Sequence, residues 1–173
     1  MHLITAAELT FSAFCELIDD YAVSGTPFLG MTKPDIFPYF VRTCIKHSAG
    51  IGLEKGVSPY TRYFMVDESG TVYAQGDVRH EATKFNVLVA GQLGYGVPPS
   101  KRKCGYGTKM CALLIEKAHE MGFERIIITC RDENTASAKI IESNGGKLLE
   151  TVFLKKENIN MRRYEVDIFA STK

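Results

Sequence analysis

The stretch from Leu93 to Thr108, Leu-Gly-Tyr-Gly-Val-Pro-Pro-Ser-Lys-Arg-Lys-Cys-Gly-Tyr-Gly-Thr, constrains this chain more than any other. Leu93, Tyr95 and Val97 alternate with Gly94 and Gly96, so a strand here has one bulky face and one nearly bare face. Bare backbone at a strand end predicts a bulge or the close approach of a ligand. Pro98 and Pro99 end the strand, because neither can donate to a ladder. Arg102-x-x-Gly105-x-Gly107 then opens a helix that runs on through Met110, Leu114, Ala118 and Met121. Free N–H groups and a positive dipole end make such a helix start an anion site. Lys101, Arg102 and Lys103 add fixed positive charge beside it. The stretch predicts a phosphate site, although an ordinary tight turn also accounts for the glycine pair. The nucleoside-triphosphate pattern is absent, and so is the dinucleotide pattern of three spaced glycines.

The whole chain narrows the partners. At 173 residues it predicts one domain spanning 1–173, long enough to bury roughly 70% of its unfolded surface. A net charge of +1 argues against nucleic acid or an anionic membrane, both of which need a basic surface. No apolar run approaches the roughly 20 residues of a membrane span, and Met1-His2-Leu3 starts no signal peptide. Cys15, Cys44, Cys104, Cys111 and Cys130 are odd in number and lack Cys-x-x-Cys spacing. That predicts reduced thiols in a cytoplasm, with no disulfide frame and no metal site.

Read in order, Met1 to Ile4 predicts a short edge strand. Thr5-Ala-Ala-Glu8 matches a capping box before Leu9, Phe11, Phe14, Leu17, Ile18 and Tyr21 at helical spacing. Ser24-Gly25-Thr26-Pro27 breaks that helix. A second helix starts near Pro34 and carries Ile36, Phe37, Phe40, Val41, Cys44 and Ile45. From Tyr60 the period becomes two: a strand to Val66, a hairpin turn Asp67–Gly70, then a strand from Thr71 to His80. Glu81 to Asn86 reads as a loop, and Val87–Ala90 as the approach to the central strand. Arg125–Cys130 is a short apolar run, the mark of a strand covered on both faces. Strand Leu93–Val97, helix Gly107–Met121 and strand Arg125–Cys130 thus predict a parallel βαβ unit. Asn134 to Gly146 reads as a helix from N-cap to C-cap, with strands near Lys147–Leu154 and Arg162–Phe169 after it.

Two motifs then carry a resemblance. Val97-x-x-x-x-Arg102-x-x-Gly105-x-Gly107-Thr108 resembles the acyl-CoA pyrophosphate loop of the GNAT N-acetyltransferase superfamily. Asn134-x-x-Ser137-x-Lys-Ile-Ile-Glu-x-x-Gly145-Gly146 resembles the second motif of that superfamily, at the proper distance from the first. With Pro59 to His80 and Arg163-Tyr164 the similarity covers about residues 57–166, nearest to bacterial members that often carry a pair like Arg79-His80. The fold it implies is a mixed α/β (α+β) domain, a central mixed sheet with a splayed parallel strand pair, flanked by about four helices. It also implies acetyl-CoA as co-substrate and an amine of a small molecule or peptide as acceptor, joined by direct attack.

The resemblance further implies cofactor contacts from Tyr95, Val97, Arg102, Lys103, Cys104, Gly105, Tyr106, Gly107, Thr108, Asn134 and Ser137. Gly105 and Gly107 would let the backbone pass close to the pyrophosphate, and a backbone N–H near Val97 would hold the thioester oxygen. The superfamily commonly places an acidic tyrosine seven residues after the motif asparagine, and here that position is Ile141. Tyr95 or water could take its place. His80 and Glu81 are the leading candidates for the base, beside Asp77 and Glu133. The acceptor would lie among Phe28, Phe37, Tyr39 and the loop 51–59. A non-catalytic acyl-CoA sensor is the alternative reading, a phosphate-binding module a third, and a homodimer stays open.

Overall fold

The computed structural model describes residues 1–25, 28–29 and 34–168. Its strands are β1 (His2–Thr5), β2 (Tyr60–Val66), β3 (Val72–Arg79), β4 (Leu93–Gly96), β5 (Arg125–Arg131), β6 (Lys147–Leu154) and β7 (Ile159–Asp167). Its α-helices are α1 (Phe11–Val23), α2 (Phe37–Ser48), α3 (Tyr106–Glu120) and α4 (Thr135–Ser143). The strands form two antiparallel sheets, one ordered β1-β2-β3-β4 and the other β5-β7-β6.

Alternation along the strands divides the first sheet into two faces. Tyr63, Met65, Ala74, Val78 and Leu93 pack against Met110, Cys111 and Leu114 of α3. Phe64, Val66 and Val72 pack instead under Phe14, Leu17 and Phe40 of α1 and α2. Each helix buries one stripe and leaves the rest wet, as apolar residues at three-and-four spacing require.

Several expectations need correction. The Thr5–Glu8 box does form, with Glu8 Oε2 accepting from both N and Oγ1 of Thr5 at 2.9 Å. It closes a turn after β1 and does not open the helix. Thr10 caps α1 instead, its Oγ1 accepting from Ala13 N at 3.2 Å, and the helix starts at Phe11. Asn86–Ala90 is a π-helical turn and not extended chain, because Gly91 N donates to Asn86 O at 2.7 Å, five residues back. The hairpin turn is as expected: Asp67 Oδ1 accepts from Ser69 N, Ser69 Oγ and Thr71 N at 2.9, 2.6 and 3.1 Å. The last strand spans Ile159–Asp167, while its expected end at Phe169, like Thr26 and Pro27, lies outside the described residues.

β4 and β5 form no ladder. Among the described residues their segments share one backbone hydrogen bond, Gln92 N to Ile127 O at 2.6 Å. Beyond it the strands part into separate sheets.

Candidate functional site

The loop before α3 is shaped by two residues in left-handed backbone, Lys103 at φ 63° and Gly105 at φ 80°. Gly105 is the N-cap of α3, and the first helical bond is Lys109 N to Gly105 O at 3.1 Å. The amides of Tyr106, Gly107 and Thr108 therefore precede the helical ladder and face outward from the positive end of the dipole. Arg102 donates Nε to Val97 O at 3.2 Å, which folds the loop back onto the end of β4. Lys101 lies over the Tyr73 ring at 5.2 Å. Cys104 is exposed and its thiol donates to Arg102 O at 3.4 Å.

Each of the two glycines also has a cause within the fold itself. A Cβ on Gly105 would meet nothing within 4 Å, so its requirement is the positive φ. A Cβ on Gly107 would sit 2.7 Å from Ile140 Cδ1 of α4. That glycine lets α3 and α4 close on each other.

The gap between the sheets starts at Gln92. Its carbonyl accepts from Arg79 N of β3 at 2.9 Å, so the N–H of Leu93, trans to it across a planar peptide, points away from β3. Strand alternation then turns Tyr95 and Val97 the same way. Three backbone groups thus line the free edge of β4, next to the start of α3. Tyr95 crosses to α4, where its hydroxyl lies 3.0 Å from Ser137 Oγ. Burial pushes its pKa above the ordinary tyrosine value, helped by Cys111 nearby. Asn134 Oδ1 accepts from Ser137 N at 3.0 Å and caps α4. The structure thus brings Tyr95, Val97, Asn134, Ser137 and the loop Arg102–Thr108 to one place. Ile141 is wholly buried in the core below.

The bare face of β4 is filled by the chain itself. A Cβ on Gly94 would lie 3.2 Å from Asp77 Oδ1, and one on Gly96 would lie 2.8 Å from Gln75 Nε2 and 3.4 Å from Tyr21 OH. Arg62, Asp77 and Gly94 lie in register across β2, β3 and β4. Asp77 pairs with Arg62 at 3.3 Å and with Arg79 at 3.6 Å. Arg62 Nη1 and Asp77 Oδ1 are buried without a hydrogen-bond partner.

His80 lies elsewhere. It is four residues, about 13 Å of strand, from Gly76, the β3 partner of Tyr95. Its Nε2 is 2.8 Å from Thr61 Oγ1 on β2, and burial lowers its pKa. Glu81 is exposed, its carbonyl accepting from Asn86 Nδ2 at 2.7 Å. Glu133 is exposed beside Arg131 at 3.9 Å. Phe28 is core, stacked near Tyr21 and Phe40 at 5.3 and 6.2 Å, while Tyr39 is exposed.

Gln92 was not singled out by the sequence reading. A polar residue inside the apolar run Val87–Leu93 was the available signal, since a buried amide must find partners.

The acetyltransferase (GNAT) domain model matches residues 53–147, more than half of the chain. The chain belongs to the GNAT acetyltransferase family. No curated protein matches it. Among solved structures, a spermidine N-acetyltransferase from Vibrio cholerae is similar at 10% identity and TM-score 0.63, covering 100% of this chain and 98% of its own. An acetyltransferase from Salmonella typhimurium that modifies the N-terminal serine of ribosomal protein L7/L12 is 16% identical, with TM-score 0.64 and coverages of 94% and 92%. The microcin C7 self-immunity acetyltransferase, solved with acetyl-CoA and AMP, is 13% identical, with TM-score 0.65 and coverages of 90% and 85%. At these identities the likeness concerns the fold. As a member of that family, the chain is an acetyltransferase. Among the described residues no helix is long and apolar enough to cross a membrane.

Proposed function

We propose that residues 1–173 act as one unit that transfers acetyl from acetyl-CoA to the nitrogen of an amine by direct attack. The observation that carries this is the free edge of β4 opening beside the start of α3. Arg102, Lys103 and the amides of Cys104–Thr108 would hold the diphosphate, and the backbone of Tyr95 and Val97 the pantetheine arm. The thioester supplies an activated acetyl carbon. One backbone N–H of this free edge, near Val97, would hold the oxygen as it gains charge, an interaction strongest in the transition state. The nitrogen forms its bond to carbon as the C–S bond breaks, the nitrogen gives up a proton to solvent and the thiolate leaves. A thiolate of pKa near 8.5 is a tolerable leaving group, so Ile141 in the tyrosine position is compatible with turnover.

Asp77 is the carboxylate that would face the amine, since it lies against Gly94 on the face opposite α3. Its two arginine partners make that floor net positive. This supports an acceptor whose amine neighbours a carbonyl or carboxylate, such as the peptide N-terminus modified by the Salmonella enzyme, over a polyamine such as spermidine. All five cysteines are free thiols, which supports a cytoplasmic setting. Exposed Leu148, Leu149 and Phe153 on edge strand β6 support a homodimer.

The test is thiol release from acetyl-CoA on a panel of amines, with Arg102→Glu in parallel. Amine-dependent release, and CoA binding weakened about tenfold or more by the charge reversal, are expected. CoA binding without release on any amine would favour the sensor reading.

A further inference from the structure

The junction where β4 and β5 separate is built in an unusual way. In a parallel pair each strand's N–H groups are taken by carbonyls of the other, rung after rung. Here Ile127 N donates to the side-chain Oε1 of Gln92 at 2.6 Å, while Gln92 N donates to Ile127 O at 2.6 Å. The Gln92 carbonyl is turned the other way, to Arg79 N of β3. A side chain therefore stands in for the last rung before the junction, and with the Gln92 carbonyl turned to β3 the next rung cannot form, so the backbone is left free from Leu93 onward. The residue is 2% exposed, so this amide has no water to fall back on. Gly91 makes the approach feasible: at φ 70°, a Cβ there would be 3.0 Å from both Ile127 O and Thr129 N. Thr129 Oγ1 donates to Val89 O at 2.9 Å and clasps the next residue of the same β5 edge.

We infer that Gln92 is a positioning residue for acetyl transfer. By capping Ile127 N–H with its side chain, it sets the residue at which the strands part. It thereby sets where the N–H groups of Leu93, Tyr95 and Val97 stand relative to the thioester. This rests on the acetyl-transfer reading above. Misplacement of such donors by about 1 Å is felt mainly in the chemical step and can cost on the order of a hundredfold. Diphosphate binding at α3 lies outside the clasp and is spared.

The test compares Gln92→Leu, which keeps a side chain of similar bulk but loses the acceptor, with Gln92→Glu, which keeps an oxygen for Ile127 N–H. Gln92→Leu is expected to lower kcat about tenfold or more, with the Kd for CoA changed less than about threefold, and Gln92→Glu to recover most of kcat. Equal losses in kcat and CoA affinity, unchanged kcat in Gln92→Leu, or no recovery in Gln92→Glu would overturn the assignment. Amide hydrogen exchange on the unmutated protein gives a reading independent of variant folding. Ile127 is expected to be protected and Leu93 to exchange fast until acetyl-CoA is added; a protected Leu93 in the free protein overturns the clasp. If the unmutated enzyme acetylates no amine while this exchange pattern holds, the transfer reading fails and the clasp geometry stands.

Discussion

Asp20 receives both polar hydrogens of Ser100: the backbone N–H at 2.9 Å on Oδ1 and the hydroxyl at 2.6 Å on Oδ2. The two residues are 80 positions apart, so the bond ties α1 to the loop that precedes α3. A loop held this way is already ordered when an anion arrives, which lowers the entropic cost of binding. Ser100→Ala removes half of the tie without changing any charge. One net hydrogen bond is about 1 kcal/mol, so CoA affinity is expected to fall roughly fivefold. Asp20→Asn also weakens the tie, but it removes a negative charge near the phosphate site, and that charge acts over a screening length of about 8 Å. A smaller loss is therefore expected for Asp20→Asn. Calorimetric titration with CoA decides this; unchanged affinity in Ser100→Ala would show that the tie is not felt at the loop.

The two loop glycines separate by mechanism. Gly105→Ala forces a side chain into left-handed backbone in open space, at a cost of roughly 1–2 kcal/mol in folding stability. Gly105→Asn tolerates that region better and should lose less. Gly107→Ala keeps ordinary backbone but brings a methyl to 2.7 Å from Ile140 Cδ1, the end of a side chain that can turn. Its effect should be rescued in part by Ile140→Val, whereas Gly105→Ala should not respond to that second change. Urea unfolding of the four variants and the double mutants measures the coupling.

Asp67 gives the fold an acid limit at the β2–β3 turn. Its carboxylate accepts from Ser69, Thr71 and, at 3.0 Å, the Tyr73 hydroxyl. The Ser69 hydroxyl bond above all pushes its pKa from 3.8 down to about 2. A depressed carboxylate contributes stability that is complete above the unfolded pKa and fades as the pH falls through the folded one. Melting temperatures of the unmutated protein and Asp67→Asn should therefore converge between about pH 4 and about pH 2, and stay apart at neutral pH. A gap that persists at about pH 2 would assign the turn's stability to something other than this carboxylate.

How much of this was legible in the sequence follows from what each residue depends on. The Asn134 cap and the Gly105 turn depend on neighbours within a few positions, and local spacing showed them. Local spacing showed only the Thr5–Glu8 box as a cap, and it takes the packing of Phe14 and Leu17 under the sheet to start α1 at Phe11 behind Thr10. The π-helical turn is invisible locally, because Asn86 is fixed from afar by Ser58 Oγ at 2.7 Å. Gly94 and Gly96 read as room for a ligand, but the occupants are Asp77, Gln75 and Tyr21, which only the β3 register and α1 bring there. Gln92 stands out only as a polar residue in an apolar run, and its partner Ile127 comes from a strand 35 residues on.

Tyr95 separates an acid from a clamp. The departing thiolate resembles a cysteine thiolate, with pKa near 8.5. Burial holds the Tyr95 hydroxyl above the ordinary tyrosine value, so a proton moving from it to the thiolate would run uphill. The hydroxyl is therefore suited to keeping its proton, donating a hydrogen bond and fixing α4 through Ser137, whose Oγ is 3.0 Å away. Tyr95→Phe should then cost about tenfold or less in kcat and roughly 1 kcal/mol of stability. The basic limb of the pH–rate profile should stay where it is, because no group that titrates there has been removed. Ser137→Ala should give a similar loss, and the double mutant little more than either, as expected for two ends of one bond. A basic limb that disappears in Tyr95→Phe would make the phenol the acid after all.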